Sequence, residues 1–187
     1  MDARRVVGVY WGRFNPPHKG HLSVVRRFRR ACRLVVAIGS SERKNTRTDP
    51  FSARERKAMM EAYLKESGIR GVRVVTLRDG PSVSWALDNL VRRCKPDILL
   101  LSTERSGLAR WAKGKVKVVR FRRTGRISST RIRDHIASGD PAWRKWTGRS
   151  VARLIVRADG IARIQRAYRE PRPTPRRRPR PRGPIRP

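Results

Sequence analysis

The feature that most constrains this chain is an apolar segment that runs directly into a short loop carrying two histidines. Residues 6–11 are apolar and have the length of a buried strand. Residues 12–21 read Gly-Arg-Phe-Asn-Pro-Pro-His-Lys-Gly-His, and helical spacing of apolar residues begins at Leu22. His18 and His21 therefore fall where a strand passes into the amino end of a helix. Free backbone N–H groups and the helix dipole favour an anion there, so we predict a phosphate-binding loop.

Apolar runs alternate with helical segments along the rest of the chain. Further strands are predicted at residues 34–39, 72–77, 96–102 and 116–121, and helices at 19–32, 52–67, 82–94 and 106–112. Ser52 and Glu55 have the spacing of a capping box at a helix start. The alternation predicts an α/β fold, a Rossmann-like doubly wound parallel sheet of about five strands. In such sheets ligands bind at the carboxyl ends of the strands, where the histidine loop falls.

A second polar motif lies more than a hundred residues after the first. Ser128, Ser129 and Thr130 stand at the start of a predicted helix, and Arg133 follows one turn later. Hydroxyl groups and backbone N–H groups can hold phosphates, and an arginine can bind the same anion through two N–H groups. Arg13, in the first motif, adds another cation. No residue has the setting of a dedicated nucleophile, so the two motifs together predict nucleotidyl transfer by positioning and charge stabilisation.

Two further helices are predicted at residues 148–158 and 160–169, and the character of the chain changes after them. The formal net charge is +34, and residues 171–187 contain seven arginines, seven prolines and no acidic residue. This composition cannot form a core, so we predict a nucleotidyltransferase domain at 1–170 and a disordered tail at 171–187. The charge indicates anionic partners. The tail is either a solvated, dispensable extension or a segment that contacts nucleic acid or an acidic surface weakly, and the sequence leaves both interpretations open.

Cysteine and histidine usage argues against a metal site built by the protein. Cys32 and Cys94 lie far apart, and the chain has three histidines, so we expect no zinc site and two buried thiols. No window approaches the ~20 apolar residues of a membrane span, and the amino terminus lacks a signal-peptide pattern. We therefore expect a cytoplasmic protein without membrane contact.

The two motifs resemble those of a known superfamily. Gly-x-Phe-x-Pro-x-His-x-Gly-His, followed by Ile-Ser-Ser-Thr-x-x-Arg, is similar to the nucleotidyltransferases that share their fold with class I aminoacyl-tRNA synthetases. More narrowly, residues 12–13 and the run Asp-Pro-Phe-Ser-Ala-Arg-Glu-Arg at 49–56 resemble the archaeal-type nicotinamide-nucleotide (NMN) adenylyltransferases. The resemblance covers residues 5–168. It implies transfer of AMP from ATP to NMN, giving NAD and pyrophosphate, with Mg²⁺ carried on the ATP phosphates.

The same resemblance implies roles for individual residues. His18 and His21 would contact the ATP phosphates and act in catalysis with Arg133. The other positions assigned to ATP binding are Gly12, Arg13, Phe14, Arg47, Ser128, Ser129 and Thr130. Trp85 matches a tryptophan on which the nicotinamide ring stacks, and Asp79 is also assigned to NMN binding. The resemblance further implies a homo-oligomer, with a hexamer as the candidate form.

Two alternatives remain open at this point. The first keeps the fold and the reaction but changes the acceptor to another phosphorylated compound, such as phosphopantetheine or FMN. Trp85 distinguishes the two, because nicotinamide needs an aromatic surface and pantetheine does not. The second alternative is a basic nucleic-acid-binding protein without catalysis. It explains the charge and the tail, but it does not explain why both motifs are intact.

Overall fold

The computed structural model describes residues 5–103, 108–122, 125 and 127–170. It contains five strands: β1 (Val7–Gly12), β2 (Arg33–Ile38), β3 (Arg73–Thr76), β4 (Ile98–Ser102) and β5 (Lys117–Phe121). All pairings are parallel, and the strand order is β3-β2-β1-β4-β5. The order reverses between β1 and β4, so the predicted doubly wound sheet is confirmed.

Helices cover both faces of this sheet. They are α1 (Lys19–Phe28), α2 (Ala53–Glu66), α3 (Val83–Cys94), α4 (Ala109–Ala112), α5 (Ser129–Ala137), α6 (Arg149–Arg157) and α7 (Gly160–Arg169). One core cluster joins the sheet to α1, α2, α5, α6 and α7, and a second joins it to α3 and α4. Successive residues of β1 serve the two clusters, with Tyr10 in the first and Val9 in the second, as the two-residue period of a strand requires.

The structure departs from the sequence predictions mainly in short segments. The helix predicted at 106–112 is confirmed only for the four residues of α4, and residues 104–107 lie outside the described part of the chain. A 3₁₀ helix at Pro141–Trp146, with Trp143 buried in the core, was not predicted. The two thiols are buried as expected. The tail at 171–187 lies outside the described residues.

No helix in the described ranges has the length and apolar character that crossing a bilayer demands.

The predicted capping box at the start of α2 is confirmed. The backbone N–H of Glu55 donates to Ser52 Oγ at 3.3 Å, and the backbone N–H of Ser52 donates to Glu55 Oε2 at 2.7 Å. Glu55 also binds Arg163 of α7, with Nη1 and Oε1 2.6 Å apart. The capping residue therefore ties α7 to the first turn of α2.

Arg56, in the same turn of α2, holds the carboxyl ends of the central strands together. Its side chain is wholly buried, and within the described part of the chain its guanidinium donates to backbone carbonyls. The accepting carbonyls, at nitrogen–oxygen distances of 2.6 to 3.2 Å, belong to Arg13, Gly39, Ser40, Phe51 and Ser52. Arg13 follows β1, and Gly39 and Ser40 follow β2. Burial lowers the pKa of Arg56, and the nearby carboxylates of Asp49 and Asp79 oppose that shift.

Glu66, at the other end of α2, binds the amino end of α6. Its carboxylate accepts hydrogen bonds from the backbone N–H groups of Arg149 and Ser150 at 2.9 and 2.8 Å, and from Ser150 Oγ at 2.5 Å. Burial alone would raise the pKa of Glu66, but the hydrogen bonds from Ser150 and Arg149 outweigh burial and hold it below the ordinary value of 4.5. The charged form therefore stabilises the contact between α2 and α6.

We expect Arg56→Lys to destabilise the protein by about 3 kcal/mol or more, because an ammonium group cannot reach five separated carbonyls and leaves some of them buried and unpaired. Urea unfolding measures the change. Arg54→Lys is the matched control, since Arg54 is exposed on the same turn, and should change stability by less than about 0.5 kcal/mol. Equal stability of the two variants would contradict the assigned role of Arg56.

We expect Glu66→Gln to lower stability at pH 7 by about 1 kcal/mol, the usual size of a helix-capping contribution. Because the folded pKa of Glu66 lies below 4.5, the contribution of the charge is complete above pH 4.5 and is lost as the pH falls through the folded pKa. Urea unfolding from pH 7 to pH 3 should therefore show the gap between variant and parent narrowing only below pH 4.5. Glu61→Gln is the control; a gap that is constant with pH would exclude a charge effect.

Candidate functional site

The loop after β1 is fixed by the segment that precedes α2. Asn15 Nδ2 donates to Asp49 Oδ1 and to the carbonyl of Phe51, both at 3.3 Å, and Asn15 Oδ1 accepts from the Phe51 N–H at the same distance. The buried Asp49 carboxylate also lies 3.5 Å from Arg13 Nη1. The Asp-Pro-Phe run thus holds the histidine loop in place, a role the sequence analysis did not assign to it.

His18 and His21 lie together at the amino end of α1. His18 is the N-cap, and its Nδ1 accepts a hydrogen bond from the Gly20 N–H at 3.1 Å. In a neutral ring this bond places the proton on Nε2. The two imidazoles stack with centroids 3.6 Å apart, and Phe14 packs edge-on against His21 at 4.8 Å. A side chain at Gly20 would come within 3.1 Å of the His18 ring, so the glycine lets the ring lie over the helix start.

The amino end of α5 faces the same loop. Ser128 is its N-cap, accepting from the Arg131 N–H at 3.1 Å, and Ser129 Oγ donates to the carbonyl of Pro16 at 2.9 Å. Arg133 is buried and joins both motifs, since Nη1 donates to the carbonyl of Asn15 at 2.7 Å. The two sequence motifs, separated by more than a hundred residues, are therefore in direct contact.

Arg133 keeps donor capacity for a further acceptor. Besides its bond to Asn15, Nη2 donates to Thr130 Oγ1 at 3.2 Å, and Nε makes no hydrogen bond within the described part of the chain. Burial lowers the pKa of Arg133, and the neighbouring Tyr168 hydroxyl opposes the shift. A guanidinium held in this way presents a positively charged, oriented group to the space between the motifs.

That space is a cavity of about 180 Å³ at the carboxyl ends of β1 and β4. It lies at the point where the strand order reverses, as expected for a doubly wound sheet. The lining residues are Tyr10, Trp11, Gly12, Arg13, Phe14, Asn15, His21, Ser102, Ser128, Ser129, Thr130 and Arg133. No carboxylate belongs to this lining among the described residues, while two helix amino ends and two arginines do, so the cavity suits an anion.

A second cavity of about 340 Å³ adjoins the first and shares Trp11, Gly12 and Arg13 with it. Its other wall includes Asp79, whose Oδ1 accepts from the Ser40 N–H at 2.6 Å. This bond fixes the loop after β2. The two cavities together form a continuous crevice over the ends of β1 and β2.

Most of the predicted site residues line these cavities. The first contains Gly12, Arg13, Phe14, His21, Ser128, Ser129, Thr130 and Arg133, and the second contains Asp79. His18 is fully buried beneath His21 and lines neither cavity. Trp85 is also outside the lining: its ring packs on Gly80, where a Cβ would lie 2.0 Å from the indole.

Arg47, predicted to bind ATP, contacts Tyr168 of α7 in the structure. Its guanidinium carbon lies 3.8 Å from the centroid of the Tyr168 ring, and Nη1 donates to the Tyr168 carbonyl at 3.3 Å. It lines neither cavity among the described residues. In this conformation Arg47 closes the carboxyl end of α7 onto the 40–50 loop.

The sequence analysis assigned no individual role to Trp11, Asn15 or Ser102, although Asn15 belongs to the predicted phosphate-binding loop. Ser102 is buried at the carboxyl end of β4, next to β1, and the rule that ligands bind where the strand order reverses would have identified it. Trp11 lies near the end of β1. It lines both cavities, and the sequence pattern of a buried strand does not indicate this. The sequence did not indicate the hydrogen bonds of Asn15, because its partners lie more than thirty residues away along the chain.

The fold agrees with comparisons to known proteins. The family model of cytidylyltransferase-like proteins matches residues 9–135. A nicotinamide-nucleotide adenylyltransferase from Pyrobaculum neutrophilum is 35% identical over 160 residues, which are 82% of this chain and 89% of that protein. The corresponding enzyme from Pyrobaculum arsenaticum is 33% identical over 168 residues, covering 87% of this chain and 94% of its own length.

Solved structures support the fold. A bifunctional NMN adenylyltransferase/ADP-ribose pyrophosphatase from Francisella tularensis, complexed with AMP and a manganese ion, superposes with a TM-score of 0.61 and 18% identity. The match covers 91% of this chain and 58% of that one. At this identity the likeness concerns architecture alone. The family match and the identity to full-length archaeal enzymes decide the matter: this chain belongs to the cytidylyltransferase-like family and, within it, to the nicotinamide-nucleotide adenylyltransferases.

Proposed function

We propose that this enzyme transfers AMP from ATP to nicotinamide mononucleotide. The observation that carries the proposal is the pair of adjoining cavities that share Trp11, Gly12 and Arg13. One cavity suits the phosphates of ATP, and the other is large enough for the acceptor nucleotide beside it. An oxygen of the NMN phosphate attacks the α-phosphorus of ATP, the bond from that phosphorus to the β-phosphate oxygen breaks, and pyrophosphate leaves.

Different residues of the first cavity bind different phosphate groups of ATP. Ser128, Ser129 and Thr130, with the free N–H groups of α5, hold the β- and γ-phosphates. Arg133 and Arg13 neutralise the charge that builds up on the leaving pyrophosphate. We assign no phosphate contact to Arg47 while it binds Tyr168.

The two histidines have different roles at the reacting phosphorus. His21 lines the cavity and is the imidazole we place against the transferred phosphoryl group. His18 is a positioning residue here, because its bond to the Gly20 N–H and its stacking on His21 fix the second ring. The site thus holds oriented hydrogen-bond donors around the phosphoryl group, and the transfer proceeds without a covalent enzyme intermediate.

Magnesium enters this scheme with the nucleotide. The lining of the first cavity supplies hydroxyl groups and cations, so we place Mg²⁺ on the triphosphate of ATP. Mg²⁺ bound to the triphosphate neutralises part of its charge. The predicted homo-oligomer and cytoplasmic location stay predictions.

The direct test is an assay of the purified protein with ATP and Mg²⁺ and one acceptor at a time. NMN, nicotinic acid mononucleotide, FMN and phosphopantetheine are the acceptors, and the products followed are pyrophosphate and the dinucleotide or adenylylated product. We expect NAD formation with NMN. Turnover with FMN or phosphopantetheine alone would show that the acceptor is not NMN, while the reaction would still be an adenylyl transfer. No turnover with any acceptor would refute the proposed activity.

We expect His21→Ala to lower kcat by at least ~100-fold, the usual loss when one preorganised charge-stabilising group is removed. Steady-state kinetics with NMN and ATP measure it. His135→Ala is the control, because His135 pairs with Asp140 and packs on Trp146 outside both cavities; it should leave kcat within about 2-fold. A nearly normal kcat for the His21 variant would remove His21 from the transfer step.

We expect Trp85→Ala to raise the KM for NMN by about 10-fold or more and that for ATP by less than about 3-fold, since stacking of a base on an aromatic ring contributes about 1–3 kcal/mol. Trp85 lies beside the second cavity, against Gly80. Trp111→Ala is matched in exposure, 40% against 37%, and should change neither KM. Equal increases for both substrates would contradict nicotinamide stacking and favour another acceptor.

A further inference from the structure

Seven arginines surround two neighbouring clefts at the amino end of the sheet, opposite the nucleotide site. They are Arg5, Arg26, Arg27, Arg29, Arg30, Arg33 and Arg70. The clefts measure about 340 and 400 Å³ and share Arg29 and Arg30, so they form one surface, called here the arginine surface. No acidic side chain lines either cleft within the described part of the chain.

Two carboxylates at this end of the described fold are engaged elsewhere. Glu66, at the end of α2, is bound by the amino end of α6. Asp97, which precedes β4, accepts a hydrogen bond from the Val7 N–H at 2.7 Å. Across the described ranges, none of the seven arginines forms an ion pair with a carboxylate. The arginine surface therefore carries positive charge that no carboxylate in the described ranges balances through an ion pair.

Compensating the dipole at the carboxyl end of α1 requires only part of this positive charge. Arg5 donates to the carbonyls of Arg29 and Arg30 at 3.3 and 3.1 Å, just beyond the carboxyl end of α1. A helix carboxyl end carries about half an elementary negative charge, which a single guanidinium satisfies. Six further guanidinium groups exceed that requirement and repel one another. A partner that lowers this repulsion must be strongly anionic.

The chemistry of the surface favours a phosphate backbone over other anions. The apolar residues that line the clefts, Cys32, Leu34 and Ile69, are buried, and no exposed aromatic ring lies among the described lining residues. Bases of a single strand would find no stacking surface, and a bilayer would find no apolar side chain to insert. A second copy of the same surface would be repelled. Several guanidinium groups on one surface can pair with the closely spaced phosphates of a duplex.

We propose that the arginine surface binds the phosphate backbone of a double-stranded nucleic acid without sequence preference. Six of the seven arginines are exposed, so they reach such a partner without rearrangement of the core. The strand β1 separates this surface from the nucleotide site by roughly 17 Å, at 3.3 Å per residue. Binding at the arginine surface therefore leaves the catalytic crevice accessible.

The test compares the full-length chain with two variants that each lose four positive charges. The surface variant carries Arg26→Ser, Arg27→Ser, Arg30→Ser and Arg33→Ser. The control variant replaces Arg110, Lys113, Lys145 and Arg157 by Ser, all exposed and all away from the clefts. The probe is a fluorescein-labelled 25-base-pair DNA duplex, and fluorescence anisotropy gives Kd from 50 to 250 mM salt. Thermal unfolding confirms that each variant is folded.

We expect the parent to bind the duplex with Kd in the micromolar range near 100 mM salt. The surface variant should lose at least about 10-fold in affinity, and its slope of log K against log salt should shrink by about 3, since each phosphate contact contributes about 0.9. The control variant should change Kd by less than about 3-fold. Residues 171–187 are present in all three proteins, so their contribution does not distinguish the variants.

Three outcomes would overturn the proposal. If both variants lose affinity equally, the effect comes from overall charge and no defined surface exists. If neither variant loses affinity, the contact lies in another part of the chain. If the parent binds vesicles containing phosphatidylserine and the surface variant loses that binding while keeping its affinity for the duplex, the surface serves acidic lipid. None of these outcomes depends on the adenylyltransferase activity.

Discussion

The wholly buried guanidinium of Arg56 is the interaction on which the geometry of the nucleotide site depends. A buried charge is costly unless every donor is satisfied, and here backbone carbonyls after β1, after β2 and at the start of α2 accept its hydrogen bonds. The carbonyls of the residues that follow the strands lie outside the hydrogen-bond ladder of the sheet and need other donors. One planar cation satisfies several of them at once, and in doing so it fixes three segments relative to one another.

This anchoring explains why the two nucleotide motifs meet. Once the loop after β1 is held by Arg56 and by Asn15 against Asp49, its carbonyls have a fixed direction. Arg133 and Ser129 of α5 bind two of those carbonyls, at Asn15 and Pro16. The amino end of α5 is thereby placed next to the amino end of α1. Arg56 of α2 and Arg133 of α5 bind different carbonyls of the loop after β1. Because this loop leads into α1, these contacts bring the amino ends of α1 and α5, and so their dipoles, to the same cavity.

The sequence predicted the sheet, the helices and the first cavity well, for a physical reason. Apolar runs and helical periodicity report burial directly, and the rule for doubly wound sheets then places the loop after β1 and the amino end of α5 at one edge. Long-range polar contacts carry no such signature. Arg56 has the sequence environment of an exposed helical residue, and Arg47 bound to Tyr168 depends on where α7 lies. The 3₁₀ helix at Pro141–Trp146 was missed because its six residues are too few for a periodic pattern.

The arginines of this chain thus fall into two physical classes. Arg56, Arg133 and Arg163 are withdrawn from solvent and bind carbonyls or a carboxylate, so their charge is used inside the fold. In the arginine surface, Arg5 binds the carbonyls beyond α1, Arg27 lies over the Phe28 ring, and six of the seven side chains are exposed. A compositional bias toward arginine over lysine would produce both classes, but it would not remove acidic residues from one surface. Residues 5–41 contain no Asp or Glu, and both ends of α1 lie in that stretch. The same helix therefore presents its amino end to the first cavity and its carboxyl end to the arginine surface. Positive potential is expected at both ends of the sheet, from converging helix dipoles at one end and from exposed arginines at the other.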